Sequence, residues 1–463
     1  MNIIELYDLF LKSTGVTTDS RVVKGGDIFF ALRDKQDGNQ FASGALEKGC
    51  TYAVIDNPLC KKDDRYILVE NALHTLQELA RFHRRRFNIP VIAITGSNGK
   101  TTTKELAARV LSKQFRTLST RGNLNNHIGV PLTLLSLKKR HEIAVIEMGT
   151  NHQGEIRKLC KIAEPNYGLI TNIGTAHAGL LGGHEGVKTE KGALYEFIRK
   201  KSGKIFIDYY DPVLNDMAKG MDKITYGFIP KKPDKNEFSR DIHAVDGSGK
   251  FPKSKYWYKK NIFCIAEFAD NFPFVKLKYT GIGITTHFFG KHNFQNILAA
   301  ICIGKYFGIQ PEQIREAVES FIPDDNRSEI RKTKRKNTLI LDAYNANPDS
   351  MKSMLESFFS FQKRGMTNKT AILGEMRELG EYEIDEHIKI IKLCLQSGFR
   401  KIYLTGKIFQ SAMAESEIKD NRLVLFATTA EVIAYFRKKP LDHTVILLKG
   451  SRAMRLEELV RVL

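Results

Sequence analysis

The run Val91 to Thr95 (VIAIT) leads without interruption into Gly96-Ser97-Asn98-Gly99-Lys100-Thr101-Thr102, and the helix-period segment Thr101 to Lys113 follows. An apolar strand, a glycine-bearing loop and a helix in that order form a cradle for phosphate, which commits this part of the chain to an α/β fold with a mostly parallel sheet. Glycines let backbone N–H groups approach an anion, and the start of the helix contributes roughly half a positive charge. Lys100 can reach the terminal phosphates, and the Thr101 hydroxyl can hold Mg²⁺. Ile94 stands where the GxxxxGK[ST] spacing would place its first glycine, so the loop is a shortened form. Gly96, Ser97, Asn98, Gly99, Lys100, Thr101 and Thr102 are the candidate nucleotide ligands.

A chain of 463 residues exceeds one ordinary core, and its 42% hydrophobic and 27% charged composition is that of a globular protein, so three domains are expected. No apolar run reaches the roughly 18 residues of a membrane span. Glu5 and Asp8 interrupt the apolar amino terminus, which a secretory signal would avoid, so a cytoplasmic protein is expected. Cys50, Cys60, Cys160, Cys264, Cys302 and Cys394 lie far apart without a CxxC pair, which signals neither zinc nor a disulfide framework. The net charge of +20 welcomes anions without choosing among them. The basic clusters at Arg84 to Arg86, Arg199 to Lys201 and Arg331 to Lys336 lack the interleaved aromatics of a single-strand platform, so no nucleic-acid partner is expected.

Short strands at Asp27 to Leu32, Tyr52 to Ile55 and Tyr66 to Val69, with a helix from Leu73 to Arg86, make residues 1–86 a small α/β domain. Pro90 marks its end, because a residue preceding proline is pushed out of helix. Strand-like runs at Val91 to Thr95, Ile143 to Met148, Leu169 to Ile173 and Ile205 to Ile207 alternate with helices in a central domain, 87–321. Between about Pro230 and Tyr279, around Trp257, the pattern suggests antiparallel hairpins or long loops. A helix from Asn293 to Phe307 precedes a linker near Pro323. Runs at Thr338 to Leu341, Ala371 to Leu373, Ile402 to Leu404, Leu423 to Phe426 and Val445 to Leu448 then make 322–463 a Rossmann-like open α/β domain.

Strand ends of a parallel sheet face the ligand crevice, and two polar residues fall there. Glu147 ends the run from Ile143, and His177 follows the run Leu169 to Ile173 after Gly174 to Ala176. One carboxylate and one imidazole beside phosphates can ligate a divalent metal, although each alone is more often a core or surface polar residue.

These segments also carry a family resemblance. GSNGKTTTKE (96–105), GNLNNHIGVPLTLL (122–135), EMGTNHQGEI (147–156), NIGTAHAGLLGGHEGVKTEKGALYE (172–196) and GKHNFQNILAA (290–300) resemble, in order and spacing, the blocks of the Mur ligase central domain. The shortened cradle is that family's form. The resemblance implies ATP, two Mg²⁺ sites with Thr101, Glu147, His177 and Lys191 as ligands or near-ligands, and a carbamylated Lys191. An ordinary lysine of pKa about 10.4 is almost wholly protonated at neutral pH, so a carbamate requires burial and nearby cations. The resemblance further implies contacts to adenine from Asn293 and Asn296, to the nucleotide phosphates from Arg327 of IPDDNRSE (322–329), and to the ATP ribose from Asp342. Catalytic roles would fall to Lys100, Lys191, His177 and Arg327.

Within the family, YNANP (344–348), LGEMRELG (373–380) and KGSRAMRLEE (449–458) are similar to the members that add D-alanyl-D-alanine to a UDP-N-acetylmuramoyl tripeptide in peptidoglycan biosynthesis. Members adding a diamino acid instead carry a DNPR signature; here Asp56-Asn57-Pro58 lies in the first domain and is followed by Leu59. DSRVVKGGDIFFAL (19–32) and DGNQF (37–41) resemble the UDP-binding domain, with Asn39 in place of the usual histidine. Substrate contacts are thus expected from Ser20, Arg21, Asn123, Asn125, Asn126, Tyr344, Asn345 and Asn347, in a protein working as a monomer. The competing expectations are another ligase of this type, adding a diamino acid or resembling folylpolyglutamate synthase, and a nucleic-acid-binding ATPase, which would leave Glu147, His177 and Lys191 unexplained.

Overall fold

The computed structural model describes residues 1–33, 35–176, 178–229, 262–271, 273–323, 326–362 and 368–463. They form two compact units: Met1–Thr95 with Gln114–Leu169 and Gly192–Ile205, and Gly96–Lys113 with Ile170–Lys191 and Phe206–Leu463.

The first unit begins with the helix Ile3–Lys12. Asn2 caps it by accepting the Ile4 and Glu5 N–H groups, and the Glu5 carboxylate returns to the Asn2 N–H, satisfying donors the helix leaves orphaned. Val16–Thr17, Ile28–Phe30, Tyr52–Ile55 and Tyr66–Leu68 pair in that order as a four-stranded parallel sheet. The expected helix runs from Ala72 to Arg84, capped by Asn71. The buried Arg84 is held by backbone carbonyls, its Nε donating to Ala163 O at 3.1 Å and its Nη1 to Phe87 O at 2.7 Å. Ile143–Glu147 then lies between Val91–Thr95 and Thr117–Ser119, parallel to both. Both longer strands are wholly buried, as expected where helices cover both faces of a parallel sheet.

In the second unit the helix Lys100–Leu111 packs against the helix His292–Tyr306, which is buried on nearly every side. A Cβ on Gly304 would come within 2.4 Å of Val110, so the two helices pack closely because that side chain is missing. Cys264–Asp270, Lys276–Tyr279 and Ile282–Thr285 are antiparallel, as expected for the end of that irregular stretch, although Cys264–Asp270 also pairs in parallel with Asp222–Ile229. Residues 230–261, including Trp257, lie outside the described residues.

The carboxy-terminal sheet has the order Glu329–Lys332, Thr338–Asp342, Val445–Lys449, Lys369–Gly374, Lys401–Thr405, Leu423–Phe426. Its first pair is antiparallel and the rest are parallel. Ile340, Ala371, Leu373, Ile402, Leu404 and Leu447 enter the core on one face, with Met354, Phe358, Ile391 and Phe409. Their neighbours Leu339, Leu341, Ile372, Tyr403, Ile446 and Leu448 enter the other, with Val432 and Phe436. This alternation is the period-two pattern of strands covered on both sides. Truncating a buried leucine such as Leu447 to alanine would cost about 2–5 kcal/mol.

One expected strand is displaced. Leu169 to Ile173 is replaced by Tyr167–Ile170, and Thr171 to Ala176 form a loop. Thr171 and Asn172 leave the strand because their side chains bond to the phosphate loop. All six cysteines are free thiols. Among the described residues no helix is long and apolar enough to cross a membrane.

Candidate functional site

The phosphate loop is shaped by the segment 171–174. Asn172 accepts the Ser97 N–H at its carbonyl and the Asn98 N–H at its side chain, both at 3.0 Å. The Thr171 hydroxyl donates to Asn98 O at 2.6 Å, and Ser97 Oγ accepts the Gly174 N–H at 2.8 Å. Gly96 and Gly99 have φ of +145° and +79°, and a Cβ would come within 1.9 Å of Thr171 Oγ1 and 2.2 Å of Asn296 Oδ1 respectively. The glycines therefore serve packing as well as anion approach. The helix Lys100–Leu111 opens at Gly99 without a side-chain cap, so its positive end lies at the glycine loop. Lys100 folds back over the loop, its Nζ donating to Gly96 O at 2.7 Å and Ser97 O at 3.2 Å.

Lys191 lies in the helix Gly183–Lys200 and is 1% exposed. Burial, and then the Lys100 charge, push its ammonium down to about 7, with Glu190 opposing. Such a lysine is substantially neutral near physiological pH. His177 lies outside the described residues. Among the described residues no three His, Cys, Asp or Glu side chains gather as a metal site.

Asn293 and Asn296 are buried behind the loop. Asn296 accepts the Thr103 hydroxyl at 3.2 Å and donates to Asn293 Oδ1 at 3.1 Å, and Asn293 donates to Phe289 O at 2.8 Å. These bonds tie the loop helix to the helix His292–Tyr306.

At the C-terminal strand ends, Asp342 pairs with Lys449 and its other oxygen accepts the Ser328 N–H at 3.0 Å. Tyr344 lies between two guanidinium groups, with Arg327 at 3.4 Å and Arg452 at 4.9 Å from its ring centroid. Arg327 Nε is buried without a hydrogen-bond partner among the described residues. Asn347 donates to Asn98 Oδ1 at 2.7 Å, and Asp349 accepts the Thr175 N–H at 2.6 Å and hydroxyl at 2.9 Å. The loop after Thr338–Asp342 thus bonds directly to the phosphate loop.

Beside that contact is a cavity of about 150 Å³, walled by Asn345, Asn347, Arg377, Glu378, Ser451 and Arg452. It sits where three parallel strands end and the chain order reverses, the usual ligand position in an open α/β sheet. Sequence reasoning singled out Asn345 and Asn347 but not Arg377, Glu378, Ser451 or Arg452. The available signal was their place one to four residues beyond two glycines at strand ends, Gly374 closing one strand and Gly450 following another.

In the first unit, Glu147 is 1% exposed at the end of its strand. Its Oε1 accepts the Asn125 amide at 2.8 Å, and its backbone N–H donates to the Thr120 hydroxyl at 2.9 Å. Asn126 accepts the Gly129 N–H at 2.9 Å just ahead of the helix Gly129–Leu135, and Asn123 is exposed. Arg21 projects outward, paired with Asp19 at 2.7 Å, and Ser20 O accepts Lys48 Nζ at 2.8 Å. Asn39 is a buried junction, donating to Asp37 and Asp56 and accepting the Asp56 and Asn57 N–H groups. The Asp56-Asn57-Pro58 turn is accordingly part of this domain's framework.

Two family models match the chain: the Mur ligase middle domain over residues 94–304 and the Mur ligase glutamate ligase domain over 326–452. The UDP-N-acetylmuramoyl-tripeptide--D-alanyl-D-alanine ligase of Bacillus subtilis is 32% identical over 456 residues, covering 96% of this chain and 92% of the relative. The enzyme of the same name from Treponema pallidum is 31% identical with the same coverage. A crystal structure of MurF from Acinetobacter baumannii superposes with a TM-score of 0.80 at 28% identity, over 98% of this chain and 97% of the other.

Proposed function

This chain belongs to the Mur ligase family, and we propose that it joins D-alanyl-D-alanine to a UDP-N-acetylmuramoyl tripeptide in an ATP-driven reaction, giving the pentapeptide precursor of peptidoglycan. The carrying observation is the hydrogen bond between Asn98 of the phosphate loop and Asn347 of the cavity wall. It joins a loop suited to a nucleoside triphosphate to a cavity with cations and a carboxylate in its wall. A volume near 150 Å³ lies below the roughly 300–1,000 Å³ of drug-sized sites and suits a small zwitterion. The relatives named above act on the same pair of substrates.

A carboxylate is a poor acyl donor until one oxygen becomes a leaving group. The terminal carboxylate of the tripeptide accepts the γ-phosphoryl group of ATP as its bond to the β-phosphate oxygen breaks, forming an acyl phosphate and releasing ADP. The dipeptide amine attacks its carbonyl carbon, losing a proton, and phosphate departs with the former carboxylate oxygen. Lys100 and Arg327 neutralise charge on the transferring group, where positioning and electrostatics supply most of the rate. Asp342 holds the ribose, and Asn293 and Asn296 support the adenine side through the loop helix. Ser20, Arg21, Asn123, Asn125 and Asn126 bind the UDP-linked substrate; Tyr344, Asn345 and Asn347 serve the dipeptide.

The residues fit magnesium: Thr101 and Glu147 offer the oxygen donors a hard cation prefers, and the near-neutral Lys191 amine can capture CO₂ as a carbamate. Thr101, Glu147, His177 and Lys191 would hold two ions, which supply charge neutralisation beside the phosphates when bound. The working domains are 1–86, 87–321 and 322–463. This reading is supported by the four-stranded sheet within the first and the six-stranded sheet within the third. A cytoplasmic monomer meets these needs, since ATP and the nucleotide-linked substrate are made there.

Phosphate release from ATP, measured with both substrates and with each omitted, tests the reading. Release requiring both, with the pentapeptide mass, is expected. Use of free amino acids but not the dipeptide would assign another acceptor, and release indifferent to both would overturn the proposal.

A further inference from the structure

The loop that carries Arg377 and Glu378 into the cavity is held by a residue the reaction does not otherwise use. His387 is fully buried on the helix Glu383–Gln396. Its Nδ1 lies 2.6 Å from Glu383 O, which can only accept, so Nδ1 carries the proton. Its Nε2 lies 2.9 Å from the Met376 N–H, which can only donate, so Nε2 is bare. The two contacts fix one neutral tautomer, and the ring packs edge-on against Phe409 at 4.6 Å.

Met376 sits between residues that build the wall. The Glu375 carboxylate accepts Arg377 Nη2 at 3.0 Å and the Ile408 N–H at 3.2 Å, and its carbonyl accepts the Ser451 N–H at 3.2 Å. A shift at Met376 would therefore reach Arg377, Glu378 and Ser451 together. We infer that His387 is a positioning residue for the dipeptide: as a neutral hydrogen-bond acceptor it sets the 375–378 loop and with it the cationic wall of the cavity. The inference rests on the reading of the cavity given above.

Protonation would place an Nε2–H against the Met376 N–H, and the bond would be lost. Burial holds the His387 pKa below its ordinary value, opposed by the Glu383 carbonyl and by the charges of Glu375 and Glu386. Glu375 at the strand end and Glu386 on its own helix are the charges that bear on the ring; Glu383, Asp385, Lys389 and Lys392 are the other charged residues of that helix, and the helix Lys407–Ser416 presents Phe409.

The test is steady-state phosphate release by the full chain, varying ATP, UDP-muramoyl tripeptide and D-alanyl-D-alanine in turn, for wild type, His387→Leu and His387→Gln. Leucine removes the acceptor, and a lost buried bond converts to about tenfold in KM for the dipeptide, with the other two KM values within about twofold. Glutamine keeps an acceptor oxygen and a donor and should restore most of that loss. The wild-type dipeptide KM should climb only once pH falls clearly below the ordinary histidine pKa of about 6.5, whereas the glutamine variant should stay flat. Equal changes in all three KM values, no recovery with glutamine, or a glutamine variant that keeps the wild-type pH dependence would each overturn the inference. If the leucine variant does not fold, the glutamine pH profile decides alone. If wild type ignores the dipeptide but uses another amine, the reading of the substrate fails, while the KM split for that amine still tests His387.

Discussion

Asp342 and Lys449 face each other in register at the ends of two adjacent parallel strands, with the Lys449 side chain 1% exposed and its ammonium bonded to the Asp342 carboxylate. Burial by itself would raise the Asp342 pKa, but the Lys449 charge and hydrogen bond outweigh it, and the net direction is downward. The pair's contribution is thus present above the ordinary aspartate pKa and lost as pH falls through the lower folded value.

Lys449→Met should accordingly destabilise the protein by roughly 2–4 kcal/mol, because it strands a carboxylate that is largely, though not wholly, out of water. The double variant Asp342→Asn/Lys449→Met should lose clearly less than the single one. Urea unfolding at neutral pH measures both. A double variant as unstable as the single would mean that the charges are uncoupled.

In the proposed mechanism Lys191 trades stability for function. Its pKa of about 7 lies below the unfolded value near 10.4, so the folded state binds fewer protons between those limits and gains stability as pH rises through them. Lys191→Met should therefore be more stable than wild type by a few kcal/mol at pH 7 and almost inactive. A sample equilibrated with ¹³C-bicarbonate should show a carbamate resonance that fades as pH falls below about 7 and is missing from the variant. Identical spectra would remove the carbamate from the mechanism.

Asp208 is buried, and desolvation pushes its carboxyl up to about 6 despite the Tyr210 N–H, with Asp211 adding to the rise. The folded state binds the extra proton between the ordinary aspartate pKa and about 6, so stability falls as pH rises across that window. Asp208→Asn should raise Tm at pH 7.5, by an amount on the order of 2–3 kcal/mol in stability, and leave it nearly unchanged near pH 4. Calorimetry at the two pH values checks this, and an equal shift at both would point to packing.

Tyr344 holds Arg327 and Arg452 by stacking, each contact being worth about 0.5–2 kcal/mol. Tyr344→Phe keeps the ring and should keep kcat/KM within about twofold, while Tyr344→Leu should lose about tenfold or more. Equal losses in both variants would assign the role to the hydroxyl.

The sequence was sufficient for the α/β architecture and for the strand, glycine loop and helix around Lys100, because both are local. Alternation of apolar residues predicts strands such as Ile402–Leu404 wherever the chain is buried on both faces, and VIAIT followed by GSNGKTT is complete within a dozen residues. Lys191 could be named only through the resemblance, since nothing in EGVKTEKG shows that its amine is buried.

What the tertiary structure alone decided is which distant residues meet. Thr171 and Asn172 were expected in a strand but leave it to shape the phosphate loop. Arg377, Glu378 and Arg452 form one wall only because the strand Val445–Lys449 inserts between Thr338–Asp342 and Lys369–Gly374. The proton position on His387 depends on a carbonyl one turn away and an N–H eleven residues away. Strand and helix patterns are set by nearest neighbours along the chain, whereas a cavity, a charge pair or a shifted pKa depends on desolvation and distance, which exist only once the chain has closed on itself.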